Sequence, residues 1–399
     1  MNGRCSSSSA VARAGVATSA VIAMLLGATA GVAAQTAAAG PGWNREAAAQ
    51  YLDERMDVWF ATTKKLATGQ GEATCVSCHT VVPYVLARPA LRRALRAPAP
   101  TSQEARVVEG VTRRVETYDT HQLFYDFNEA KKVESRGTEA VLNALILASA
   151  ATQRERRTSG DATRRAFQRL WETQRADGAW DWLDFGLEPF ESAGAAYYGA
   201  ALAALAVGTT AGSSASPSPE AAAGTSKLRA YLTERYSGQN LFNRVWLLLA
   251  STRWKDLLAP APREALVAEL RKAQQADGGW SLSAMSGWRW SKAAWRARPP
   301  GTPDAALLTR SDAHATGLVV YTLRRAGLGV DDPAVKRGVQ WLKTHQQSVP
   351  VGERSYAAWR SYSLNHDREQ GGEKGEPWRR FFMSDAATAF AVLALLATD

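Results

Sequence analysis

The sequence predicts an all-α protein of about six helical hairpins with no sheet. Three observations lead there. Amphipathic segments alternate with uniformly apolar ones, as 161–174 with 191–207 and 332–347 with 384–397. A Gln-x-x-x-Gly-x-Trp turn occurs twice, at Gln174, Gly178 and Trp180 and at Gln274, Gly278 and Trp280. Two apolar segments open alike, Ser311-Asp312-Ala313-His314-Ala315-Thr316 and Ser384-Asp385-Ala386-Ala387-Thr388. A helix apolar all round needs cover on every side. An inner ring of such helices inside an outer amphipathic ring supplies it, and closure removes the ends that an open solenoid must cap.

The elements follow in order. Segment 44–66 places Tyr51, Leu52, Val58, Trp59 and Leu66 on one helical face, and Gly69-Gln70-Gly71 stops it. After Pro83, residues 84–95 form an Arg-rich helix that ends at Ala97-Pro98-Ala99-Pro100. Thr101 or Ser102 caps a third helix over 102–118. An aromatic loop over 119–135 carries His121, and 137–150 is a buried helix. Helices are then expected over 161–174, 191–207, 227–236, 241–254, 262–275, 311–325, 332–347 and 384–397. The Ala/Ser/Pro/Gly-rich stretch 208–224 reads as a surface linker, and a Trp-rich loop holds Trp288, Trp290 and Trp295.

Residues 1–34 read as a signal peptide: Arg4 and Arg13, a short apolar core, then Val32-Ala33-Ala34 before the cut. The expected location is periplasmic or secreted, with no transmembrane span after cleavage. The formal charge of +10 is spread over helices beside acids, a soluble basic surface rather than a nucleic-acid site. The remaining chain divides into an N-terminal helical hairpin, 35–100, and the repeat region, 101–399.

Only Cys75 and Cys78 follow the signal segment, and His79 is next to them. Cys-x-x-Cys-His in an exported chain reads as a haem c attachment site. Cys75 and Cys78 would form the thioethers, and His79 would be the proximal iron ligand. A thioredoxin-type disulfide would need a surrounding sheet, and zinc would need further ligands. His121 is the first candidate for the distal ligand, ahead of Met383; His314, His345, His366, Met56 and Met285 complete the set.

The repeats resemble the terpenoid cyclase and protein prenyltransferase superfamily, whose fold is an (α/α)6 toroid. Arg337-Gly338-Val339-Gln340-Trp341-Leu342 followed by Gln346 matches the first part of its motif, with the Gly-x-Trp missing or displaced. The Gln174 and Gln274 turns match the second part, and Arg229-Ala230-Tyr231-Leu232 is a degenerate copy. The resemblance implies the toroid. It does not supply the cyclases' Asp-x-Asp-Asp acid, which is absent, or the prenyltransferases' zinc cysteine. Trp180 and Trp280 are expected to be structural, and Asp312 and Asp385 to cap inner helices.

The nearest acidic group is Asp181, Asp184, Glu188 and Glu191 among Trp180, Trp182, Phe185 and Phe190. It reads as a polar loop at the ring's mouth, or as an acid site in which desolvation raises a carboxyl. The functional expectation is a haem protein for electron transfer or redox sensing, with a redox partner protein. The alternatives are an enzyme or binding protein for an apolar, isoprenoid-type small molecule, and a non-catalytic module with a Cys75–Cys78 disulfide. Catalysis is left open.

Overall fold

The computed structural model describes residues 42–399 apart from 64, 69–70, 152–159, 211–217, 288–308 and 365–380. The signal segment, the three tryptophans at 288, 290 and 295, and His366 lie outside the described residues. The helices are α1 (Arg45–Thr62), α2 (Val81–Ala94), α3 (Ser102–Glu116), α4 (Glu129–Ala151), α5 (Gly160–Glu172), α6 (Ala195–Thr210), α7 (Pro219–Glu234), α8 (Leu241–Ser251), α9 (Pro260–Ala273), α10 (Leu282–Ser286), α11 (Ala313–Arg325), α12 (Pro333–Thr344) and α13 (Phe382–Leu396). Helices α2, α4, α6, α8, α11 and α13 pack each against the next, and α13 packs back on α2. These are the apolar members of the hairpins. The outer members α1, α3, α5, α7, α9 and α12 each precede their inner helix. The fold is therefore an all-α (α/α)6 toroid. The hairpin α1–α2, placed by the sequence in a separate N-terminal unit, supplies one sixth of the ring.

The composition of the inner ring explains its packing. Helix α6 buries Ala200, Ala201, Ala203, Ala204 and Ala206 with Leu202 and Leu205, so neighbouring backbones approach closely. Helix α13 does the same with Ala386, Ala387, Ala389, Ala391 and Ala394.

The repeated turn has one job in three places. Gln174 Nε2 donates to Gly178 O in its own turn and to Gly224 O on the next outer helix, both at 3.0 Å. Gln274 Nε2 reaches Gly278 O at 2.8 Å and Ala334 O at 2.9 Å. Gln346 Nε2 reaches Ala357 O at 3.2 Å and Asn44 O at 3.0 Å. The tryptophans Trp180, Trp280 and Trp359 each donate from Nε1 at 2.8 Å to the preceding outer helix, at Leu170 O, Leu270 O and Leu342 O. Trp359 is thus the displaced third tryptophan. Gly278 has φ +94°, and a Cβ there would lie 2.9 Å from Arg337 O, so glycine is required.

The displacement has a cause. Strands β3 (Gln347–Val351) and β4 (Arg354–Ala358) form an antiparallel hairpin inserted between Gln346 and Trp359. A second hairpin, β1 (Lys65–Thr68) with β2 (Gly71–Thr74), replaces the expected end of the first helix. Both correct the expectation of no strand at all. Helix α4 starts earlier than the aromatic loop allowed, because Asn128 Oδ1 caps Lys131 N at 2.8 Å. Helix α7 takes up the second half of the expected linker: Ser218 Oγ accepts from Ala221 N at 3.2 Å and Pro219 holds the first helical position. Residues 211–217 of that stretch lie outside the described residues.

Asp312 caps α11 as expected, accepting from Ala315 N at 3.0 Å. Asp385 does not cap. The tryptophan turns set the true register: Trp280 N donates to Thr316 Oγ1 and Trp359 N to Thr388 Oγ1, while Leu282 N and Ser361 N donate to Asp312 and Ser384. Asp312 therefore corresponds to Ser384, one residue before Asp385. Freed from the cap, Asp385 accepts from Arg55 Nε at 2.7 Å, Arg55 Nη2 at 3.1 Å, Tyr51 Oη at 3.0 Å and Thr80 Oγ1 at 2.8 Å. Arg55 and Asp385 are both buried, and the pair joins the first hairpin to the last.

Arg55→Met leaves Asp385 buried without its cation and should cost about 3–5 kcal/mol. Arg55→Met with Asp385→Leu should recover most of that loss. Urea unfolding midpoints of the three proteins check both statements.

Candidate active site

All six inner helices start at the same end of the ring, and the chain around the axis there is aromatic. Phe190 is the centre of it. Its ring lies 5.5 Å from His314, 5.7 Å from Tyr198, 6.0 Å from Phe242 and 6.4 Å from His79. These residues come from the starts of α11, α6 and α8 and from the turn before α2.

Phe190 is carried by the acidic loop that the sequence singled out. The loop is held throughout. Leu183 N donates to Thr138 Oγ1 at 3.0 Å, and Asp184 N donates to Glu134 Oε2 at 3.1 Å. Phe185 N and Leu187 N both donate to Glu191 O at 2.9 Å. Trp182 Nε1 donates to Phe190 O at 2.7 Å. Lys131 bonds Asp184 O and lies 4.7 Å over the Phe185 ring. Phe185 in turn meets Tyr125 at 4.7 Å, and Tyr125 meets Phe124 at 4.8 Å. Two tilted or edge-on contacts thus build an aromatic platform beside the acids.

The carboxylates differ in their surroundings. Burial raises the Glu188 carboxyl above its ordinary range; the Ser192 hydroxyl opposes this and the Asp184 charge adds to it. Asp184 Oδ1 accepts from Gly186 N at 2.9 Å. Asp181 faces Arg175 at 3.5 Å. Asp312 is raised to about 6 by burial against the bonds from Ala315 N, Leu282 N and Ser361 Oγ, but those donors occupy it as a cap.

The Cys-x-x-Cys-His stretch lies in the same region, built into the core. Cys78 and His79 are buried and Cys75 is half-buried; both thiols are free. Burial pushes the Cys75 thiol up to about 12, with Arg114 opposing and Glu191 and Glu139 assisting. The His79 ring packs 4.4 Å from Phe382 and 5.6 Å from Trp59. Thr80 has one hydroxyl proton and gives it to Asp385, so the 3.0 Å contact between His79 Nδ1 and Thr80 Oγ1 has His79 as donor.

His121 is buried elsewhere. Nδ1 meets Thr117 O at 2.9 Å, and Nε2 pairs with Glu139 at 3.1 Å, so both ring nitrogens are engaged. Arg114 bonds the same Glu139 at 2.9 Å. Met56, Met285 and Met383 fill the core, and His345 stacks on Trp341 at 3.8 Å. Among the described residues no three His, Cys, Asp or Glu side chains gather to hold a metal ion. The sequence raised His314 only as a distant ligand candidate, and its place on the axis had no local signal.

No protein-family model matches the chain, and no curated protein matches it. Solved structures do. An unsaturated glucuronyl hydrolase from Bacillus sp. GL1 aligns with TM-score 0.53 and 12% identity over 88% of this chain and 94% of that one. The enzyme of that name from Streptococcus agalactiae aligns with TM-score 0.51 and 11% identity over 88% and 92%. At these identities the likeness shows the toroid fold. Both are named as unsaturated glucuronyl hydrolases, and neither is a cytochrome or a terpenoid cyclase. This corrects the expectation of a haem protein for electron transfer or redox sensing. The isoprenoid alternative finds no support in these neighbours, and Cys75 and Cys78 are free thiols rather than the disulfide of the third alternative. No described helix is long and apolar enough to cross a membrane.

Burial alone would raise the Glu139 carboxyl, yet Arg114 and His121 hold it at about 2, below the ordinary value of 4.5. Its contribution to stability is full above the ordinary value and is lost as pH falls from 4.5 towards 2. Glu139→Gln should flatten that part of the stability profile, read by thermal melts across the acid range.

Proposed function

We propose that the protein is a saccharide-processing hydrolase that works at the acidic loop over the inner-helix starts. The observation that carries this is Glu188, raised by burial and by the neighbouring Asp184, beside the aromatic group of Phe124, Tyr125 and Phe185. A carboxyl raised by burial next to a second carboxyl can divide the roles of acid and base. The fold neighbours support the reading, since the unsaturated glucuronyl hydrolases are hydrolases on the same toroid.

In this reading a sugar ring lies against the platform. Glu188 gives its proton to the glycosidic oxygen as the bond to the anomeric carbon breaks. Water adds to that carbon, and its proton passes to the Asp184 carboxylate. A second proton exchange with solvent restores Glu188 and Asp184.

Glu188→Gln should lower kcat/KM by about 10²–10⁴ and abolish the alkaline limb of the pH profile, because a raised acid must remain protonated. Asp184→Asn should lower kcat by a similar factor. Hydrolysis of a panel of oligosaccharides by the wild type and both variants tests this. Undiminished activity in Glu188→Gln would remove the acid from the assignment.

A further inference from the structure

Beside the acidic loop the chain shows water an aromatic ring that core packing does not explain. Phe127 is 67% exposed, and Val133 is 52% exposed. Among the described residues only Val330 joins them as an exposed large hydrophobic side chain, and it follows α11 at the opposite end of the ring. Phe127 and Val133 flank the first turn of α4, the helix whose start also holds the acidic loop. Exposed apolar groups of this size therefore gather at the end of the toroid where the carboxyls lie.

The backbone that carries Phe127 is anchored on both sides. Ser135 Oγ donates to Tyr125 O at 3.0 Å. Asn128 Oδ1 accepts from Lys131 N at 2.8 Å, and Asn128 O accepts from Lys132 N at 3.1 Å. Phe127 lies between these anchors. The same stretch is tied to the acidic loop, since Tyr125 meets Phe185 at 4.7 Å and Glu134 Oε2 accepts from Asp184 N at 3.1 Å. The exposed ring thus continues the half-buried group of Phe124, Tyr125 and Phe185 outward, at a fixed place relative to Asp184.

The residues around the ring select its occupant. Gln122, Asp126 and Asn128 alternate with Phe124, Tyr125 and Phe127 along the chain. Gln122 Nε2 donates to Asp126 Oδ2 at 3.2 Å, which orients both side chains at the surface. An amide has a second hydrogen and a carboxylate further lone pairs, so that bond leaves capacity on each. The core of a protein interface is depleted of charged groups and wants a continuous apolar patch, which this alternation breaks. A sugar ring has apolar C–H faces and hydroxyls at its rim. Its face suits Phe127, and its rim suits the amide and the carboxylate.

We infer that Phe127, with Gln122 and Asp126, forms an outer subsite for a further sugar ring, beyond the two that flank the cleaved bond. The substrate is then a saccharide chain rather than a single glycoside. The inference rests on the saccharide reading of the acidic loop above. A two-unit substrate spans only the cleaved bond and leaves the outer subsite empty. A longer chain gains the extra contact, and binding energy from that remote ring shows in its kcat/KM.

The test uses the full chain with neutral and uronate oligosaccharides as probes, each as a two-unit and a five-unit chain, and reads kcat/KM. The wild type should hydrolyse the five-unit chain of its series better than the two-unit chain. Phe127→Ala should lower kcat/KM for the five-unit chain by about three- to tenfold, the worth of one aromatic contact, and so shrink that preference. Phe127→Tyr keeps the ring and should restore it. The melting temperature should stay the same in both variants, because the side chain is exposed. Equal kcat/KM for both chain lengths in the wild type, or an unchanged preference in Phe127→Ala, would overturn the inference while leaving the saccharide reading standing. A wild-type dimer that Phe127→Ala converts to a monomer at unchanged kcat/KM, seen by light scattering, would overturn it in favour of a second copy on this face. No hydrolysis of any probe would overturn both.

Discussion

The buried pair of Arg55 and Asp385 is the constraint on which the ring depends. Each inner helix is covered by its two neighbours and by its outer partners, so the cover fails wherever the circle is open. Between the first and last hairpins the closure is charged rather than only apolar: one carboxylate gathers Arg55, Tyr51 and Thr80. Such a pair adds little net stability over an apolar substitute, but a mismatch is costly, so it favours one register of α1 on α13. Gln346 repeats the logic at the outer ring by bonding Asn44 O. That bond is the same device that joins consecutive outer helices elsewhere.

Much of this was legible in the sequence. The alternation of amphipathic and apolar segments is a direct image of the two rings, because an outer helix has one wet face and an inner helix has none. The Gln and Trp of each turn also carried their meaning, since both are fixed by hydrogen bonds within or next to the turn. What failed was anything set by distant partners. Asp385 reads like Asp312 in the sequence, and only the register of Thr316 against Thr388 separates the cap from the ion pair. The two β-hairpins were missed because each is four or five residues per strand, too short for a period to show. The starts of α4 and α7 were missed although Asn128 and Ser218-Pro219 are ordinary start signals.

The acidic loop was found by its composition, but its rank among candidates was not. Asp181, Asp184, Glu188 and Glu191 look equivalent along the chain. Folding makes them unequal: Asp181 faces Arg175, Asp184 accepts from the Gly186 backbone N–H, and Glu188 is desolvated. The cysteine motif is placed less openly than its sequence suggests. Its spacing carries a strong chemical meaning in an open loop, and the fold places it instead against Trp59, Phe190 and Phe382.

The bond between Gln346 and Asn44 spans 302 residues of chain, and the bond between Arg55 and Asp385 spans 330. During synthesis the first hairpin must therefore wait, with its apolar face uncovered, until the last one has been made. Local pairing of each hairpin and its successor can proceed in order, whereas closure carries the full loop entropy of the chain. Translation thus yields an open crescent before it yields a ring. The two lips of that crescent, α2 and α13, are the surfaces on which a waiting chain is most exposed to the wrong neighbour.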